Sequence, residues 1–192
     1  MALSGSLAAA GEDGADAAGS VDAAGRTAWK TGFFGTIATW LPANTIILSG
    51  ALVSASGVIS GFGLFSFSTR TLGVSLASAV GSTDAAAIAN WTDIGNAILS
   101  HLETNGKAMG TGLSAPPLGG PVVGVGSVVC PVGSLGTSLA SAAQSVDAPG
   151  IAGWNAVASV LADFIATANF LPAPIPFVAP PSGPIVGTGT II

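Results

Sequence analysis

Residues 84–129 read DAAAIANWTDIGNAILSHLETNGKAMGTGLSAPPLGGPVVGVGSVV, and a recognisable version of this stretch occurs three times in the chain. One copy starts at Asp147 with DAPGIAGWNAVASVLADFI and closes on SGPIVGTGTII; another starts at Asp22 with DAAGRTAWKTGFFGTI and closes on SGVISGFGLF. Trp29, Trp91 and Trp154 mark the register at spacings of 62 and 63 residues. Asp22, Asp84 and Asp147 lie seven residues before their tryptophan, and Ser20, Ser82 and Ser145 nine before. The pairs Gly61/Gly63, Gly124/Gly126 and Gly187/Gly189 follow at 32, 33 and 33 residues. A fourth element, Leu-x-x-Ser-Leu-Ala-x-Ala, begins at Leu3, Leu72 and Leu135. A fixed period of this length is the mark of repeat architecture. It divides the chain into units 1–66, 67–129 and 130–192.

Each aspartate stands where a helix N-cap belongs, its carboxylate placed to accept a free N–H of the first turn and to favour the positive end of the helix. Trp91, Ile94, Ile98, His101 and Leu102 then fall on one helical face, as do Trp154, Val157, Leu161, Phe164 and Ile165. In the first copy the face is Phe33, Ile37, Trp40 and Leu41, interrupted by Gly32 and Gly35. The spacing predicts helices over 22–41, 84–103 and 147–167. Prolines, glycines and β-branched residues follow each helix, a pattern that suits edge strands, bulges or tight hairpins. Glycine at alternate positions leaves one strand face bare, so three such strands could meet near one axis.

A unit of about 63 residues is near the size at which a single core is marginal, so the three should share one. The chain ends on a strand and begins with the element that follows that strand in the other copies, the order expected of a ring cut open. The expectation is therefore an α+β fold of three tandem units, each an amphipathic helix followed by a Pro/Gly-rich hairpin or strand, in closed pseudo-threefold symmetry. The spacing from Leu7 to Trp29 exceeds those from Leu76 to Trp91 and Leu139 to Trp154 by seven residues. The acidic stretch 11–17 is accordingly expected to be an exposed inserted loop.

Only 7% of the residues are charged, and the mean hydropathy is +0.73, so lipid or other protein should cover this chain. Four basic residues, Arg26, Lys30, Arg70 and Lys107, in a chain of net charge −5 give no footprint for nucleic acid. The N-terminus lacks the positive region and apolar run of a secretory signal, which points to cytoplasmic synthesis. One cysteine and one histidine make neither a disulfide nor an ordinary zinc site.

His101 reads as a packed side chain, because Phe164 fills its place in the third copy. Cys130 reads as a small buried hydrophobe. The capping aspartates could form a carboxylate ring around a cation, but their place at helix starts already accounts for them. The glycine pattern is no dinucleotide fingerprint, since no GxGxxG opens a helix after a strand. Neither cofactor nor catalytic residue is expected, and an enzyme is not the reading.

Lys30 to Arg70 and Lys107 to Asp147 each enclose 39 uncharged residues, and the last 29 residues carry no charge. An integral or peripheral membrane protein is thus one alternative, although Pro116, Pro117, Pro121 and the six prolines from Pro172 to Pro184 argue against spanning helices. A threefold lectin-like module using Trp29, Trp91 and Trp154 is another; the place of these residues on the apolar helix face favours packing instead.

The motif W-x-x-I-x-x-x-I-x-x-H-L, the Pro/Gly loop and GGPVVGVGSVV resemble small Ala/Gly-rich structural proteins of phage tails and phage-like contractile injection particles. The resemblance covers each unit. It implies a structural role, other protein subunits as partners, and a fused trimer seated on a threefold or sixfold axis to cap or plug a tube or shell.

Overall fold

The computed structural model describes residues 2–55, 58–113, 126–172 and 188–191. The fold is mixed α+β, a layer of helices joined to a small antiparallel sheet. In chain order the elements are α1 (Ala2–Ala17), α2 (Ala23–Thr27), a π-helical stretch (Ala28–Phe34), α3 (Gly35–Asn44), β1 (Thr45–Ala55) and β2 (Val58–Phe67). Next come α4 (Leu72–Ala79), α5 (Ala85–Asn105), β3 (Lys107–Leu113) and β4 (Gly126–Val129), then α6 (Leu135–Ala142), α7 (Ala148–Ala166), β5 (Asn169–Pro172) and β6 (Thr188–Ile191).

The long helices begin where the aspartates place them. Asp22 and Asp84 have extended backbones, and each accepts a hydrogen bond at 2.8 Å from the N–H three residues on, Gly25 and Ala87 respectively. Asp147 has the same extended geometry without a side-chain cap bond, and Pro149 sets the first turn of α7 instead. Asp84→Ala should cost about 1 kcal/mol of stability and Asp147→Ala clearly less, a difference readable as separate urea midpoints.

The irregular first copy has a physical cause. Gly35 N–H bonds to Lys30 O, five residues back, so the π-helical stretch accommodates one extra residue. Beyond it Phe33, Ile37, Trp40 and Leu41 are all buried, as are Ile94, Ile98, His101 and Leu102 of α5 and Val157, Leu161, Phe164 and Ile165 of α7. The tryptophan-to-core spacing lengthens by one residue, and the apolar face survives.

The short helices correct the reading of the acidic stretch. Residues 11–17 are no inserted loop; they are the C-terminal half of α1. Helices α1, α4 and α6 end in one kind of turn, with Gly19 (φ 69°), Gly81 (φ 72°) and Gln144 (φ 55°) in the left-handed region. In each the following serine donates to the carbonyl five residues back: Ser20 to Ala15, Ser82 to Ala77 and Ser145 to Ala140, all at 2.9 Å. Counted from that turn, Gly11, Gly73 and Gly136 hold one position and Gly14, Leu76 and Leu139 another. The Leu3 match is therefore out of step with Leu72 and Leu135, and what α1 adds is extra turns at its N-terminus. Carboxylates on it are paired: Arg26 bonds Asp16 and reaches Glu12 at 3.2 Å, and Lys30 reaches Glu12 at 3.3 Å.

Helix meets helix in a closed circuit. The α1 helix packs on the π-helical stretch, α4 on that stretch and α3, α5 on α4, α6 on α5, α7 on α6, and α7 returns to α1. Glycines permit the closest crossing, because a Cβ on Gly73 would overlap the Trp91 carbonyl and one on Gly95 would overlap the Gly73 backbone.

The strands form a closed antiparallel barrel in the order β1-β2-β3-β4-β5-β6, with β6 pairing back on β1. Three hairpins build it, with a bulge between Ser49 and Leu52. This corrects the expectation of edge strands and of single strands converging on an axis, since closure pairs every strand on both sides and removes the edges. Gly61 pairs with Gly110 and Gly110 with Gly126, while Gly63 pairs with Ala108 and Ala108 with Val128. Ala108 and Val128 are buried, so that face is the inner one. A six-stranded barrel is narrower than the eight-stranded kind that side chains just fill, which is why bare positions recur on its inner face.

The aromatic cluster and the candidate site residues

The repeated tryptophans converge. Trp29 lies edge-on to Trp154 at 6.1 Å and to Phe33 at 5.0 Å, and Phe33 lies 6.2 Å from Trp91. Phe33 continues through Phe34 at 5.2 Å to Phe164 at 5.7 Å, so rings from all three long helical segments meet at the centre of the helix layer. Trp29, Trp91 and Trp154 are half-buried and packed against the core. Edge-to-face pairs of this kind add about 0.5–1.5 kcal/mol each beyond area burial.

His101 is buried and satisfied at both nitrogens. Nε2 donates to the Pro131 carbonyl at 2.7 Å, and Nδ1 accepts from the Asn105 side-chain amide at 3.2 Å, partners that assign the neutral Nε2–H tautomer. The ring thereby ties the end of α5 to the segment entering α6. Trp40 has the same task at the end of α3, where Nε1 donates to Thr71 Oγ1 at 3.3 Å just ahead of α4. Sequence comparison alone did not reveal this shared role, because indole and imidazole are chemically unlike; their common ring N–H was the signal.

Cys130 is buried beside β4, and burial pushes its thiol up to about 11. Its thiolate is therefore scarce at neutral pH, and a thiol reagent at pH 7.5 should label the folded chain at least about tenfold more slowly than the urea-unfolded chain.

Asp22, Asp84 and Asp147 sit at three separate helix starts. Among the described residues, no group of His, Cys, Asp or Glu side chains could hold a metal ion. Of the paired glycines, Gly61 and Gly63 lie in β2, Gly126 in β4 and Gly189 in β6; Gly124 and Gly187 lie outside the described residues. A shallow groove between α5 and α6 is lined by Asp93, Asn96, Ser100, Thr137, Ser138 and Ser141, with no nucleophile–base pair among them.

Val21 and Val146 are 94% and 92% exposed, each one residue before a capping aspartate. The long helices run about 30 Å from there to the strands. These valines therefore mark the end of the molecule remote from the barrel.

Among the described residues α7 is the one helix long and apolar enough to cross a membrane. Its Val157, Leu161, Phe164 and Ile165 are already buried in the helix layer.

No family model, curated protein or solved structure matches this chain.

Proposed function

We propose that this chain is a non-enzymatic structural component of a multi-protein particle, a fused pseudo-trimer that caps or plugs a threefold or sixfold axis. The observation that carries the reading is double closure: α7 packs on α1 and β6 pairs with β1, so both layers end where they began. Each of three units supplies a short helix, a capped long helix and a hairpin, and the Gly19, Gly81 and Gln144 turns repeat one hydrogen-bond pattern. Three copies joined covalently fit a place where a surrounding ring has threefold or sixfold symmetry but only one copy is needed. The exposed Val21 and Val146, at the same place in two of the three units, offer apolar contacts for such a ring. On this reading the tryptophans fasten the three long helices together, which differs from a sugar platform.

The test is sedimentation of tagged protein expressed in its native host. The expected result is co-sedimentation with a large particle at a fixed, low copy number. Recovery of the whole population as free chain would overturn the reading.

A further inference from the structure

We propose that the barrel end of this molecule inserts into a lipid bilayer, with the helix layer remaining outside. The proposal extends the structural reading by naming a contact for one end, and it does not require the particle.

Charge is segregated along the molecule. Glu12, Asp13, Asp16, Asp22, Arg26, Lys30, Arg70, Asp84, Asp93, Glu103, Asp147 and Asp163 belong to helices or to the turns that start them. Between the bounds of the strands, residues 45–67, 107–129 and 169–192, the one charged residue is Lys107, at the first position of β3. Lys107 pairs in register with Leu64 on one side and Val129 on the other. That row stands at the junction with the helices, and its Leu64 and Val129 are 43% and 46% exposed. Lysine suits the rim of an apolar band, where its ammonium stays in the polar interface.

Closure is the second argument. Lipid offers no hydrogen bonds to a backbone, so a spanning sheet must leave no edge unpaired. The ring of pairings from β1 to β6 and back meets that demand, and it leaves no edge to which a partner strand could be added. The sequence prolines that exclude spanning helices are not decisive here, because barrel strands bond to their neighbours.

Length is the third. The β1 and β2 strands run for 11 and 10 residues, against the roughly 9–11 of a membrane-crossing strand. At about 3.3 Å per residue and a tilt near 40° they rise about 25 Å, the height of the apolar band on membrane barrels. Beyond the Lys107 row, the next register row on the same face holds Phe62, Met109 and Ser127, all uncharged.

The probe is flotation of the full chain with uncharged phosphatidylcholine vesicles at low and high salt. Most of the protein should float at both, since apolar burial rather than charge drives insertion. Protein left in the aqueous fraction at both would overturn the proposal and would indicate a protein sleeve around the barrel instead. Phe62→Trp adds an indole to a barrel that otherwise has none, the four native tryptophans all being helical. Brominated lipid should quench the added emission by at least about half; flotation without that quenching would show that another face binds, and would equally overturn it. Met109→Asp should lower vesicle partitioning at least about tenfold. Co-sedimentation with a particle is read independently, so failure of either reading is visible without the other.

Discussion

Replacing Phe34 by Ala should lower the unfolding free energy by about 3–5 kcal/mol, and adding Gly14→Leu to that variant should restore a substantial part of the loss. Phe34 is fully buried, packed between Phe33 and Phe164. It occupies space that its own short helix leaves empty, because a Cβ on Gly14 would overlap its ring. The corresponding residues of α4 and α6 are Leu76 and Leu139, both fully buried, and each accepts the closing hydrogen bond that Gly14 accepts from Ala18. Facing them are Gly95 and Ala158 where the first unit has Phe34. The first unit thus fills its core from the long helix and the other two from the short helix. Gly14→Leu alone should destabilise by about 1–3 kcal/mol through overpacking, whereas the pair should show a favourable coupling of about 1–3 kcal/mol in urea unfolding. Additive losses would mean that the two positions do not share one space.

The second large effect is expected at the crossing of α4 and α5. Gly73→Ala should cost about 3 kcal/mol, near the upper end of overpacking penalties, because the new methyl would overlap the Trp91 carbonyl and Thr92 Cα. Those atoms are backbone, so no rotamer change relieves them and the helices must separate. Gly19→Ala gives the contrast. No atom lies within 4 Å of a Cβ there, and the cost is only that of holding alanine at φ 69°, about 1 kcal/mol. Tryptophan emission followed through urea unfolding reads both, since Trp91 sits at the first crossing. Equal midpoints for the two variants would contradict the close approach.

Much of this architecture is legible before any coordinate is seen, and the reasons are local. An aspartate seven residues ahead of a tryptophan, with apolar residues at helical spacing behind it, fixes both the start and the buried face of α5 and α7. Cys130 and His101 read correctly as buried because neither has a chemical partner in the sequence. The acidic stretch reads wrongly because Leu3 and Leu7 imitate Leu72 and Leu76 seven residues out of step. The true counterpart, AGEDGADA at 10–17, has traded its leucine for Gly14, and its compensating bulk is in Phe34, twenty residues away. Gln144 conceals the third turn in the same way, since glycine marks the other two. Barrel closure is a pairing between β1 and β6 across most of the chain, and no local pattern encodes it.

The most direct measurement of the central claim is a density map of the purified chain at about 4 Å, rotated by 120° about the barrel axis. The account predicts that α5, α7 and the helix running from Asp22 through α3 exchange places, with their tryptophans meeting near the axis. A map in which these helices occupy unrelated positions, or in which α7 stands apart from α1, would contradict it.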